Sequence, residues 1–478
     1  MATTREQAEA YAYENRRRIT SLVRGADEAT LDPRRRLNRA LGGGIAIGIL
    51  IMAGFGIAGW LGGGSGPDLP GSGAVLASGS GDRYVVSDGV VHPALNLASA
   101  LLVGGGEATT VKQGTIDDAP RGLPVGIPGA PDALPGEDDL AVADWTVCAA
   151  PSETGGDPTQ TVLYVSVPDI APAPRADAPA GGATVLTQAE DGQLWLLTAG
   201  RRYAVEPAIG DILGLQGVEP VRLPRSILAT VPEGPEIVIP DQGGGVGSTP
   251  DTALPFEAGV GDLVSTGVGD QNPRSPQYYV VRPAGLVPVS ELVHTLLGAT
   301  DVDDHEVSAS DAARAPRSDG RPPGDPAWPE TSPVADEPGR NQPVCVSTPP
   351  GSPPGDTPWQ ATVHLPETMP QPDGLTPVRA TSGDRLGTVD EIYLPVGSGA
   401  LVRATTSSGT GGTYTLITDS GIAYPIASPD AVERLGYRPT DAPSLPSGFA
   451  RLLPTGPLLD PEAAAREQTG GTVAEEER

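Results

Sequence analysis

The 478-residue chain is long enough for an anchor and more than one folded module, and its formal charge of −29 is placed unevenly. Residues 1–40 hold nine Arg against six Asp or Glu, a net +3, and residues 41–61 hold none, so residues 62–478 carry the chain's −29 less that +3, or −32. A body so acidic would crowd like charges rather than release phosphate counterions, which excludes nucleic acid as a partner, and 64 Gly, 53 Pro and 4% aromatics predict sparse cores joined by irregular segments.

Residues 1–40 read as a cytosolic segment and residues 41–61 as a transmembrane helix. From Leu41 to Leu61 the chain is uncharged and apolar, anchored by Leu41, Ile45, Ile49, Phe55 and Trp60, and about 20 such residues span a hydrocarbon core of about 30 Å. Arg34, Arg35, Arg36 and Arg39 stand immediately before it, while Gly, Ser, Pro and Asp68 follow. The positive-inside rule then puts the N-terminus in the cytoplasm and the bulk outside. A cleaved signal peptide is the rival, but no A-x-A-like site follows Trp60 closely. Gly44 and Gly48 form a small-xxx-small pair suited to a second membrane helix.

Beyond a linker (62–81), four segments share a strand, a Gly-containing turn, a second strand and a Leu/Val-rich helix: Tyr84 to Val103, Leu194 to Leu215, Tyr278 to Leu297 and Tyr414 to Leu435. The β-branched and aromatic runs, the turns at Asp88–Gly89, Ala199–Gly200, Ala284–Gly285 and Ser420–Gly421, and the caps Asn96, Ser290 and Ser428 predict a ββα unit. Val231-Pro-Glu-Gly-Pro235 and Leu453-Pro-Thr-Gly-Pro457 echo each other and make the second and fourth units a pair. A lone hairpin with one helix buries too little to stand alone, so these units pack on each other or on a shared centre. The expected division is repeat 1 at 82–106, central domain at 107–180, repeat 2 at 181–242, repeat 3 with a leading linker at 243–298, the second central part with a disordered insert at 299–358, repeat 4 at 359–460 and a flexible acidic tail at 461–478. Within it, Gly243 to Pro250 and Ser308 to Gln342 read as linker or disordered surface. The fold class is α+β and β-rich, with a central β-rich domain and four ββα-type repeats.

Cys148 and Cys345 have no CxxC or Cys/His spacing near them, so zinc is unsupported and no metal is expected. Outside the cytoplasm two such cysteines pair, and the alternative is two separate buried thiols. The sole lysine, Lys112, is followed by Gln113, so the Lys-Ser/Thr pair of a P-loop is missing. Gly243-Gly-Gly-Val-Gly247 lacks the following helix that a dinucleotide site needs. His92, His294, His305 and His364 lack ligand spacing, and the pairs Asp138–Asp139 and Asp303–Asp304 are solvated acids whose furthest reach is weak calcium binding. No catalytic residue and no cofactor follow from these residues.

The Arg34-Arg-Arg-Leu-Asn-Arg-Ala-Leu41 run, HPALNLASALL from His92, PRGLPVGIPGAPDALP from Pro120 leading to Trp145-Thr-Val-Cys148, and Gly421-Ile-Ala-Tyr-Pro425 with LLPTGP from Leu452 resemble EccB, the membrane component of type VII (ESX) secretion systems. The resemblance implies a cytosolic N-terminus, four extracytoplasmic repeats around a central domain, and a disulfide at Cys148 and Cys345. It also implies partners in the EccC motor ATPase, EccD, EccE and a mycosin protease, with self-association of the body. A structural role in secretion follows. The alternatives are a nucleotide hydrolase, as the family is often labelled, and a cell-wall-binding module.

Overall fold

The computed structural model describes residues 3–24, 33–61, 68–141, 144–150, 158, 160–167, 170, 181–267, 276–339, 342–348, 360–379, 389–406 and 411–468. Two compact units result, residues 1–68 and 69–478. The first holds two helices, α1 (Thr4–Arg24) and α2 (Pro33–Leu61). An 18-residue window of α2, Asn38–Phe55, has mean hydropathy 1.4 and is buried nowhere in the protein. That makes it the one helix among the described residues long and apolar enough to cross a membrane.

The second unit begins with β1 (Gly73–Ser78), β2 (Arg83–Ser87), β3 (Val90–Pro93), α3 (Leu97–Gly104), β4 (Thr109–Lys112) and α4 (Gln113–Asp117). After β5 (Trp145–Ala150) and β6 (Gln160–Val165) come β7 (Val185–Gln188), β8 (Leu194–Thr198), β9 (Arg201–Ala204), α5 (Pro207–Ile212), β10 (Val221–Arg222) and α6 (Arg225–Leu228). Then follow β11 (Leu263–Thr266), β12 (Gln277–Arg282), β13 (Gly285–Val289), α7 (Glu291–Gly298), β14 (Asp304–Val307) and α8 (Ala309–Arg314). Next are β15 (Val344–Thr348), β16 (Thr362–His364), β17 (Val378–Arg379) and β18 (Glu391–Tyr393). The last set is β19 (Ala400–Thr405), β20 (Gly412–Ile417), β21 (Ala423–Ile426), α9 (Pro429–Arg434), β22 (Ser444–Pro446), α10 (Ser447–Ala450) and α11 (Pro461–Ala464).

Among the described residues these strands make five sheets. Four have one plan: three strands in an antiparallel meander, a helix, and a fourth strand parallel to the first, giving the orders β3-β2-β1-β4, β9-β8-β7-β10, β13-β12-β11-β14 and β21-β20-β19-β22. Turn chemistry sets the meander. Asp88–Gly89 and Ala199–Gly200 each place two successive residues at positive φ (52° and 76°, 50° and 76°), the conformation a two-residue hairpin needs to match strand twist. The helices start where a side chain can satisfy their first free N–H groups: Asn96 accepts from Ser99 N, Ser290 from Val293 N and Ser428 from Ala431 N, while α5 instead opens on Pro207.

After each fourth strand the chain makes a short helix and returns alongside the third. Val91, Arg202, Leu286 and Ala423 donate to the carbonyls of Pro120, Pro232, Pro316 and Pro454, and the N–H groups of Gly122, Gly234, Ser318 and Gly456 return the bond. The exposed edge of each meander is thereby covered.

The fifth sheet has six strands in the order β16-β15-β5-β6-β18-β17. One face, with Trp145, Val147, Leu163, Val344, Val346 and Ile392, packs on Leu197, Ile227, Leu228, Val402, Phe449 and Leu452 from the second and fourth small sheets. The small sheets also pair across helices. Leu102 of α3 meets Val432 and Leu435 near α9, and Ile209 of α5 meets Leu296 of α7. Corresponding clasps close both pairs, with Ala141 N donating to Gly399 O and Asp336 N to Thr184 O, each at 2.7 Å.

Strand positions depart from the expected limits in several places, beginning with β4 and β14. These fall in the ranges assigned to the central domain but complete the first and third small sheets, because each pairs in parallel with that sheet's first strand. Strand β1 lies in the stretch assigned to linker, because its buried Ala74, Val75 and Ala77 sit between glycines that mask the strand signal. Strands β16, β17 and β18 join the central sheet although they fall in the range assigned to the fourth repeat. The insert expected to be disordered is largely structured: α8 is capped by Ser308, Ala312 and Ala315 are buried, and the Trp328 indole N–H donates to Glu236 O at 3.1 Å. In the tail, α11 forms and Gln468 N donates to Pro124 O at 2.7 Å, while residues 469–478 lie outside the described part, as do 62–67 of the linker. Gly243 to Pro250 forms a turn held by reciprocal bonds, Gly247 N to Val260 O and Val260 N to Ser248 O.

Candidate functional site

Two features could carry function: the apolar helix and the bridged centre of the six-stranded sheet. On α2, Leu41, Ile45 and Ile49 recur every four residues along one side, each more than half exposed, and Phe55 is 77% exposed. Such apolar surface costs about 25 cal/mol per Å² in water and is left without protein cover. Arg39 is exposed on the same helix. Arg34, Arg35, Arg36 and Trp60 belong to α2 by their backbone, and their side chains lie outside the described part.

In the central sheet, β5 and β15 run antiparallel with Cys148 directly opposite Cys345. The two are joined by a disulfide with a Cα–Cα distance of 4.0 Å, spanning 197 positions of sequence. Alternation along the strands puts the bond on the face opposite Trp145 and Val147. There it lies among Val162, Tyr164, Val167, Ile170 and Tyr393, under Met369 and Leu375. Tyr164 stacks on Tyr393 at 5.2 Å between ring centres and donates to Pro370 O at 2.7 Å, and burial pushes its phenol pKa far up. One strand out, Ser347 Oγ lies 2.6 Å from His364 Nε2, both side chains buried. Desolvation lowers the His364 pKa, so its neutral form is the buried one.

This Ser–His contact resembles a dyad only by composition: both side chains are buried. Elsewhere Asp262, Asp303 and His305 bring three possible ligand atoms within 4.8 Å, and Asp262 Oδ2 is already engaged by Gly259 N and His305 Nε2. Asp304 is 3.3 Å from His294. His92 Nδ1 bonds Leu123 O at 3.0 Å, and Asp138–Asp139 sit in an exposed helical turn. Lys112 is exposed at the end of β4, with no glycine-rich strand-to-helix loop ahead of it. A groove of about 900 Å³ beside β12 is lined by Tyr278, Glu291, Arg321 and Trp328. Sequence reading missed the straps at Pro120 (Pro-Arg-Gly) and Pro316 (Pro-Arg-Ser), though the Pro-x-Gly echo at Pro232 and Pro454 was a visible sign of them.

Against known proteins, the family model described as "Type VII secretion system ESX-1, transport TM domain B" matches residues 1–472. The chain belongs to the EccB family of type VII secretion proteins. It is 29% identical to the ESX-3 secretion system ATPase EccB3 of Mycolicibacterium smegmatis, over 95% of this chain and 89% of that one. Among solved structures, the EccB3 dimer from the ESX-3 core complex covers 82% of this chain and 100% of its own at TM-score 0.63 and 26% identity. A chain of an intact ESX-5 inner membrane complex covers 100% of this chain and 98% of its own at TM-score 0.61 and 25% identity. EccB proteins are core components of the type VII secretion machinery, and this chain is one of them over nearly its full length.

Proposed function

We propose that the chain is a non-catalytic scaffold of a type VII secretion membrane complex. Helix α2 crosses the membrane with Arg34, Arg35, Arg36 and Arg39 on the cytoplasmic side, and residues 69–468 form the extracytoplasmic body. In this reading the four small sheets are copies of one module. They are arranged about an internal two-fold that relates the first half to the second and passes near the disulfide. The body associates with further copies of itself, while α2 and the N-terminal segment dock on the EccC motor ATPase, EccD and EccE beside a mycosin protease. The relatives are named as ATPases, but the sole lysine stands before Gln113, so a P-loop does not underlie any such activity here.

The observation that carries the reading is an uncovered apolar helix fixed to a large acidic body, in a chain matched to the EccB model from residue 1 to 472. Reporter fusions test the topology: a periplasm-active phosphatase is active after residue 468 and inactive before residue 4. Deletion of residues 69–468 with α1 and α2 retained abolishes export of the system's substrates. Export at the normal rate by that truncation overturns the scaffold role.

A further inference from the structure

The described side chains of helix α1 are exposed and are not spent on a core. At 3.6 residues per turn, Ala8, Tyr11, Ala12, Ile19, Leu22 and Val23 share an arc of roughly 120°, with Asn15 in its middle. Tyr11, Ile19, Leu22 and Val23 are each more than half exposed. The stripe therefore awaits a partner, and the charges beside it say which kind.

Charge along α1 is divided end from end. Residues 4–14 carry Glu6, Glu9 and Glu14 against Arg5, whereas residues 15–24 carry Arg16, Arg17, Arg18 and Arg24 with no acid. On the helical wheel Arg16 and Arg18 stand on the two borders of the apolar arc, where a long side chain can lie along the stripe and still reach outward. A second copy of α1 docked in parallel would set these cationic ends against each other. An anionic lipid surface would neutralise both borders while burying Ile19, Leu22 and Val23. The exposed ion pair of Arg18 with Glu14, 3.7 Å apart, is weak enough to exchange for a lipid phosphate.

Tether length agrees. Eight residues separate α1 from α2, so Arg24 stays within about 30 Å of Pro33 however the chain runs. On the topology proposed above, on which this inference rests, that end of α2 is at the inner face of the membrane.

We propose that the basic C-terminal half of α1, residues 15–24, lies on the anionic inner leaflet with Ile19, Leu22 and Val23 inserted, while its acidic N-terminal half is held off the surface. The ligand is an acidic phospholipid headgroup surface.

The test places nitroxide labels on full-length chains in nanodiscs of phosphatidylcholine, alone or with phosphatidylglycerol. Native Cys148 and Cys345 are bonded to each other, so Ile19→Cys, Arg17→Cys and Leu50→Cys label one at a time. The Leu50 label reads lipid-exposed in both discs. A water-exposed signal there shows that the topology has failed, independently of α1. With that control in place, the Ile19 label moves from water-exposed to lipid-exposed only when phosphatidylglycerol is present, and the Arg17 label stays in water throughout. Replacing Arg16 and Arg18 by Gln lowers the docked-to-free ratio at position 19 by about 30-fold. An Ile19 label that stays in water in anionic discs overturns the proposal. So does spin–spin broadening between copies at position 19, which would assign the stripe to a second chain.

Discussion

Gly122, Gly234 and Gly456 each lie against a ring: an added Cβ would fall 2.2 Å from His92 Cε1, 2.3 Å from Tyr203 Cε1 and 2.3 Å from Tyr424 Cε1. In the third small sheet the residue at the matching position of β13 is Val287, and there the strap carries Ser318 instead of glycine. The ring thus dictates the glycine, by contact rather than by backbone angle. Gly234→Ala is expected to destabilise the body by about 2 kcal/mol, read from the urea midpoint, since Tyr203 is buried and its hydroxyl is held by Ala327 O. Ala199 is the opposite case, a side chain at φ 50° where left-handed backbone costs roughly 1 kcal/mol. Ala199→Gly should raise the urea midpoint, and an unchanged or lower midpoint would refute that strain. His364 gives the pH dependence. Its folded pKa is below the ordinary 6.5 because burial disfavours the imidazolium, so as pH falls through 6.5 the unfolded chain binds the proton first and stability drops. The urea midpoint should decline between about pH 7 and pH 5, and His364→Gln should flatten that decline.

Elements were legible where the hydrophobic pattern was local. The middle strands and helix of each small sheet follow one another within some twenty residues, so Tyr84 to Val103 or Tyr278 to Leu297 shows alternation, turn and cap in one reading. The first strands were not legible. In Leu263–Thr266 every residue is buried, so no alternation marks it, and its partner β12 begins only after ten intervening residues. Fourth strands such as Val221–Arg222 are too short to show any period. The Ser308 to Gln342 stretch reads as solvated because a few residues, Ala312, Ala315 and Trp328 among them, carry its burial. At the junction of the fourth small sheet with the centre, Phe449 is fully buried and meets Trp145 edge-on at 6.4 Å, beside Gly448, whose added Cβ would strike Ala229 O. Phe449→Ala should cost about 3–5 kcal/mol and expose that junction to proteolysis before the rest of the body opens.

On the scale of the molecule, the central sheet draws strands from both halves of the chain, and its cysteines sit where those halves meet. Pairing of two distant cysteines could be anticipated from composition and compartment, but their facing register could not, because it depends on how β5 and β15 align. In the chain-entropy account a closed loop of this length is worth up to about 5 kcal/mol. Replacing both cysteines by Ser should lower the unfolding free energy by about 3–5 kcal/mol while leaving the sheet order intact, as circular dichroism would show. The bond also encloses the whole of the second and third small sheets, since both lie between Cys148 and Cys345. A single backbone cut anywhere between residues 149 and 344 would leave one covalent molecule, its two fragments separating on a gel only after reduction. For the extracytoplasmic body proposed above, the lasso turns what would be a severing event into a nick.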